Sequence, residues 1–310
     1  MNTIKEEILN VTQTAIGEQL NINKFTIDSG KPGKTVYVQG GIHGGEVTMP
    51  IIKRLFDYLK QNLVVGKVVF VPFANPLSWR QKFYFYTAGK FSFINGIDFN
   101  RVFGSQKTDI DSLVAIKVFE QVEGADFAID LHTSRISKPY TIFSSKDYIQ
   151  YLKYMNIPFN FYCAPTPEYE NTFDVQLYKK GIPNFVIECG SHDNINYENI
   201  DLIVSGILNL LKSFGMVEGK AVAYDNFRYY EDYKTIYLEK SGIVEFYKQV
   251  GDYVKKGEKL FSVIGGNLAE DKVDFYCPEN GYMLRIKNSH ISEIGEEAVI
   301  LIRDTDFINA

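Results

Sequence analysis

The sequence predicts an α/β fold, with a mostly parallel central sheet flanked by helices and a small all-β domain after it. Two observations predict the first part. Short runs rich in Val, Ile and Phe, each bounded by turn residues, read as strands buried on both faces, and stretches of helical period lie between them. A third observation predicts the second part. Beyond about Gly219 the helical period disappears, leaving short alternating stretches punctuated by Gly turns.

The predicted strands are Lys34–Gln39 (KTVYVQ), Lys67–Phe73 (KVVFVPF), Asp126–Leu131 (DFAIDL) and Asn184–Glu188 (NFVIE). The spacing predicts a helix from about Val47 to Gln61, with Ile51, Ile52, Leu55, Phe56 and Leu59 three and four residues apart. A second spans about Asp109 to Val122 through Leu113, Ile116, Val118 and Phe119, and a third runs from about Ile195 to Phe214, where Gly215 ends it. Strands alternating with helices in this way cover a central sheet.

Further strands are expected at Thr235–Leu238, Lys259–Ile264, Tyr282–Ile286 and Ala298–Ile302, separated by turns such as Gly251-Asp252, Lys256-Gly257 and Asn280-Gly281. A linker near Glu218–Asn226 divides the chain into residues 1–222 and 223–310. Two halves of the second part echo each other: Ser241–Val244 followed by Val250–Val254, then Asn280–Met283 followed by Ile291–Glu296. This order resembles the half-repeat of biotinyl/lipoyl-type barrel-sandwich domains. Such carriers display a modifiable lysine in a Met-Lys-Met-like turn. No such turn exists here, so a structural or site-shielding module is expected rather than a carrier.

Composition excludes several classes of function. At 310 residues the chain is long enough for one large domain or two, and 45% hydrophobic residues suffice for a full core. The 21 Tyr and 23 Phe serve packing or line a pocket. A formal charge of −5 argues against a nucleic-acid partner, which needs a basic face to displace counterions. No segment approaches the roughly 20 apolar residues that span a bilayer, and Met1–Gln13 has no signal-like apolar stretch. Cys163, Cys189 and Cys277 lie far apart without a CxxC pair, which fits a reducing compartment. A cytoplasmic location without membrane association is therefore expected. A homo-oligomer is left open.

Histidine is scarce, only four residues, so its placement is informative. His43 and Glu46 lie in Gly40-Gly41-Ile42-His43-Gly44-Gly45-Glu46, between a predicted strand and a predicted helix. The glycines permit a tight turn, and a neutral imidazole with a carboxylate three residues on makes a good zinc pair. The competing reading, a phosphate cradle, wants GxGxxG or a Lys-Ser/Thr that is absent. His132 also follows a strand, in Asp130-Leu131-His132-Thr133-Ser134, and Glu188 ends another, at the edge where open α/β sheets gather ligands. Two His and one Glu leave a fourth position for water beside a spare carboxylate. His192 and His290 are not expected to be ligands, and Cys189 should point away from Glu188.

The motifs His43-Gly44-Gly45-Glu46, Asn75-Pro76, Asp98-Phe99-Asn100-Arg101, Asp130-Leu131-His132 and Glu188 follow in the order seen in zinc carboxypeptidases. The chain most closely resembles their succinylglutamate desuccinylase/aspartoacylase branch, in GGIHGGE, DFNRVF, DLHTS and VIECG, and over nearly its whole length. The resemblance implies one Zn2+ per chain on His43, Glu46 and His132, Glu188 as general base, and Asn100 with Arg101 on the substrate's carboxylate or carbonyl. It implies hydrolysis of a C–N amide bond in a small N-acyl amino acid or related carboxylate-bearing compound. Where such enzymes carry another Arg, eight residues before Arg101, this chain has Phe93, leaving Arg80 or Arg135 to substitute. Tyr169 is a further candidate substrate contact. The alternatives are a carboxypeptidase acting on short peptides and an inactive metal-binding scaffold.

Overall fold

The computed structural model describes residues 2–84, 86–224 and 227–309. In chain order its strands are β1 (Thr3–Gln13), β2 (Gln19–Asp28), β3 (Thr35–Gly40), β4 (Lys67–Val71), β5 (Lys82–Phe83), β6 (Tyr86–Thr87), β7 (Phe127–Ser134), β8 (Ile136–Ser137), β9 (Tyr140–Phe143), β10 (Phe159–Tyr162), β11 (Asn184–Ser191) and β12 (Arg228–Tyr230). The C-terminal part adds β13 (Lys234–Tyr237), β14 (Gly242–Phe246), β15 (Tyr253–Val254), β16 (Lys259–Ile264), β17 (Val273–Tyr276), β18 (Gly281–Ile286), β19 (Ile291–Ser292), β20 (Glu297–Arg303) and β21 (Phe307–Asn309). The helices are α1 (Met49–Asn62), α2 (Pro76–Arg80), α3 (Ile110–Phe119), α4 (Ile149–Leu152), α5 (Phe173–Lys179) and α6 (Tyr197–Ser213).

The central sheet has ten strands in the order β1-β2-β4-β3-β7-β11-β9-β10-β12-β21. The four apolar runs legible in the sequence, β3, β4, β7 and β11, are parallel to one another. Around them β1, β2, β9 and β21 enter antiparallel joins, so the sheet is mixed, and these outer strands are not legible in the sequence. The reason is pattern strength. β1 and β2 carry polar residues on a solvated face, and β9, β10, β12 and β21 are too short to show a period.

Alternation along the strands feeds two layers. Val36, Val38, Phe127, Ile129, Leu131, Phe185 and Ile187 face α1 and α6, meeting Ile51, Ile52, Leu55, Ile203, Ile207 and Leu210. Tyr37, Val69, Val71 and Ala128 face α3 and α5 on the other side, against Val114, Ala115, Val118, Phe173 and Leu177. Burial on both faces is why these runs lack polar alternation.

The smaller C-terminal domain is β-rich. Its two sheets run β13-β20-β18-β15 and β17-β16-β14-β19, so each half of the internal echo lends its short strand to the other half's sheet. Leu238, Val244, Val254, Phe261, Phe275, Met283 and Leu301 form the core between them. Two ties fasten this domain to the rest of the chain. β8 pairs with β18, Ser137 opposite Arg285, and β21 returns to pair with β12. Asp225 and Asn226, the last two residues of the expected linker, lie outside the described residues.

Candidate metal centre

β3 carries the chain to the carboxyl edge of the parallel strands, where Gly40–Glu46 turns away into α1. The next loop holds this turn. Ala74 N donates to Gly40 O at 2.9 Å and Asn75 N to Gly41 O at 3.0 Å, while Asn75 Oδ1 caps α2. A side chain is disfavoured at Gly45. Its φ is +78°, and a Cβ there would lie 2.4 Å from His192 Nε2. The loop after β11 thus packs onto the turn, and Asp193 N donates to Gly45 O at 2.9 Å.

The turn buries His43 and Glu46, and β7 buries His132 beside them. The candidate ligand atoms of these three residues lie within 4.8 Å of one another. His43 Nδ1 is 2.9 Å from Glu46 Oε1, and His132 Nδ1 is 3.0 Å from Glu46 Oε2. Each imidazole is anchored at its other nitrogen, His43 Nε2 to Asp98 Oδ1 at 3.0 Å and His132 Nε2 to Asp130 Oδ2 at 2.9 Å. Gln39 Nε2 in turn donates to Asp130 Oδ1 at 3.0 Å and Tyr37 Oη to Gln39 Oε1 at 2.8 Å, so the orienting chain runs into the sheet.

This donor set fits one divalent cation. Two imidazoles turn the same nitrogen towards a shared carboxylate, and outer carboxylates fix their tautomer and orientation. The charges point the same way. Burial raises the Glu46 carboxyl, but His132 and His43 outweigh it and hold Glu46 below the usual carboxylate range. Burial lowers both imidazoles, yet Asp130 and Glu46 drive His132 well above its ordinary value, and Glu46 with Asp98 raises His43. So many carboxylates around two imidazoles demand a cation, whether protons or a metal. Glu188 Oε2 is buried without a hydrogen-bond partner among the described residues, and Glu46 Oε2 meets only His132 Nδ1.

Glu188 is the register partner of His132 across β7 and β11. Burial pushes its carboxyl up; His132 opposes this and Glu46 adds to it. Asn100, in the short turn after Asp98, accepts a hydrogen bond from Phe173 N at 2.9 Å through Oδ1, which leaves its Nδ2 for the pocket. Arg101 lies 5.0 Å from the centroid of the Tyr169 ring, and Asp98 Oδ1 accepts from Asn100 N at 2.8 Å as well as meeting His43.

His43, Glu46, Asn100, Arg101, His132, Arg135, Tyr169 and Glu188 all line one cavity of about 660 Å³, the size of a small-molecule site. His192 lines it outside the metal cluster, hydrogen-bonded to Thr133 Oγ1 at 3.4 Å. His290 contacts Val244 O in the C-terminal domain. Cys189 is buried, its Sγ near Ile187 O. Phe93 is 64% exposed, and Arg80 is paired with Glu18 away from the cavity. The sequence motifs contain Asp98 and Asp130 but give these outer carboxylates no role, and Lys90, Asp174 and Arg285 of the lining are missed. Asp130 was detectable, because residues two apart on a strand share a face. Nothing local marks Arg285, which arrives from β18.

Metal-dependent hydrolases of the amidohydrolase/deacylase type are built on such an arrangement, and this chain is one of them. Comparisons with known proteins narrow the class. The profile of the Succinylglutamate desuccinylase/Aspartoacylase catalytic domain matches residues 32–214, more than half of the sequence, and the chain belongs to that family. The N-alpha-acetyl-L-2,4-diaminobutyric acid deacetylase of Halomonas elongata is 24% identical over 252 residues, 74% of this chain and 70% of the relative. Two solved structures share the fold across both domains. One, from Shewanella frigidimarina and assigned to succinylglutamate desuccinylase/aspartoacylase, has a TM-score of 0.87 at 20% identity, covering 100% of this chain and 99% of its own. The other, the product-bound ectoine utilization protein of Ruegeria pomeroyi, has a TM-score of 0.80 at 16% identity, covering 96% and 94%.

Proposed function

We propose that residues 1–222 form a zinc-dependent deacylase that cleaves the C–N amide bond of a small N-acyl amino acid, and that residues 223–310 form a barrel-sandwich domain beside the site. The convergence of His43, Glu46 and His132 on one point, with Glu188 alongside, carries this reading. Imidazole and carboxylate ligands with an open position favour zinc among divalent ions. When bound there, the ion polarises the acyl carbonyl and lowers the pKa of water to about 7. Glu188 accepts the proton of the attacking water and passes it to the departing amine nitrogen. Its raised pKa suits a group that must both take and give a proton. Asn100 Nδ2 and the Arg101 guanidinium orient the acyl carbonyl, with Arg135 and Tyr169 at the pocket wall. The cavity volume and the relative from Halomonas elongata support an N-acetylated amino acid as the first substrate class to try.

No helix among the described residues is long and apolar enough to cross a membrane. Three free thiols support a cytoplasmic setting, and the net charge of −5 supports a small-molecule partner over nucleic acid. The test is elemental analysis of the purified protein coupled to turnover of N-acyl amino acids against short peptides, with free amine measured. Stoichiometric zinc and release of amine from the acyl amino acids are expected. Preference for peptides overturns the deacylase reading in favour of a carboxypeptidase.

A further inference from the structure

Glu297, at the start of β20, is shared by two guanidinium groups. Arg285 Nη2 meets its two oxygens at 2.9 and 3.1 Å, and Arg135 Nη1 reaches Oε1 at 3.1 Å. Within this cluster two guanidiniums face one carboxylate, and Glu188 is the further carboxylate that acts on Arg285. Both arginines line the cavity that holds the metal cluster, and the Arg285 side chain is only 22% exposed, so solvent screens its charge weakly.

The donors of Arg285 are also incompletely matched. Nη2 is occupied by Glu297, Nη1 makes a 3.4 Å contact to Ser134 Oγ, the Tyr140 hydroxyl also bonds the guanidinium, and Nε is buried without a partner among the described residues. Ser134 Oγ in turn lies 3.5 Å from the Tyr140 hydroxyl, and Tyr140 is the register partner of Glu188. The charge therefore sits on the wall that carries the proton-transfer group. A strand staple between β18 and β20 needs one Arg and one Glu. It does not explain the second guanidinium.

We propose that Arg285 is a specificity-determining residue: with Arg135 it binds the free carboxylate of the substrate, so the C-terminal domain supplies part of the selectivity of a site built on the other domain. This rests on the deacylase reading for the identity of the substrate. It also answers the departure at Phe93, since a second guanidinium enters from β18 rather than from the loop before Arg101.

The test compares Arg285→Gln with Glu297→Gln on N-acetylglycine and its carboxamide. Both substitutions break the staple, but they change the charge in opposite directions. Arg285→Gln is expected to raise KM for the carboxylate by about 10- to 100-fold with kcat and KM for the carboxamide nearly unchanged. Glu297→Gln is expected to hold or lower KM for the carboxylate. Parallel losses in both variants, on both compounds, mean a structural staple and overturn the proposal. Calorimetric binding of N-acetylglycine in the zinc-loaded Glu188→Gln background, with and without Arg285→Gln, repeats the comparison with turnover suppressed. If the wild type hydrolyses no acyl amino acid yet the probe binds more tightly with Arg285 than without it, the deacylase reading fails and the role of Arg285 stands. Equal binding by both sinks it.

Discussion

Each imidazole of the metal cluster is held at both ends, by Glu46 at Nδ1 and by Asp98 or Asp130 at Nε2. Removing a ligand and removing the base should therefore separate cleanly. His132→Ala is expected to lose both metal and turnover. Glu188→Gln should keep stoichiometric metal and lose about 10²- to 10⁴-fold in kcat, read by elemental analysis and amine release; unchanged turnover removes Glu188 from the mechanism. Asp130→Asn leaves every ligand in place but weakens the hydrogen bond that fixes His132, so metal affinity should fall about 10- to 100-fold in a chelator competition. Acidification acts through the same atoms. Asp130 and Glu46 raise the His132 pKa against the pull of burial, so protons compete for the nitrogen that binds metal up to that raised value. Affinity should rise with pH and weaken steadily as pH falls; a flat profile contradicts the ligand assignment.

At the scale of the element, glycine in the turn between β3 and α1 is a packing requirement. Gly45→Ala places a methyl against His192 in a left-handed backbone, which should cost about 1–2 kcal/mol from the backbone alone. Lowered thermal stability and weakened metal retention are the expected readouts. This turn also shows what is legible from sequence. His43, Glu46, His132 and Glu188 can be read because each follows a strong apolar run that ends at one sheet edge. Asp98 and Arg285 cannot, since one lies in an irregular loop and the other comes from a distant domain. The same logic governs the strands. The runs β3, β4, β7 and β11 are buried on both faces and announce themselves, whereas β9, β10 and β12 gain their pairing only from neighbours that local pattern does not specify.

The whole molecule is joined by a mixed core. Tyr140, Phe159 and Tyr230 of the large sheet pack with Leu284, Ile300 and Ile302 of the C-terminal domain, and Phe307 lies beneath the Arg228 guanidinium, 4.0 Å from its ring centroid. Calorimetry should accordingly record one cooperative transition for both domains. Phe307→Ala should destabilise that single unit by about 1–3 kcal/mol, less than a fully buried Phe because the ring is half-exposed. Two resolved transitions, with only the second shifted by the substitution, argue that the domains melt apart.

The return of β21 to β12 also bears on how the chain is made. A ribosome that has released residues up to Tyr230 has exposed a sheet whose outermost rung still awaits its neighbour. That neighbour follows only after the whole intervening β domain. Such a long-range closure slows folding and leaves an adhesive edge open during synthesis.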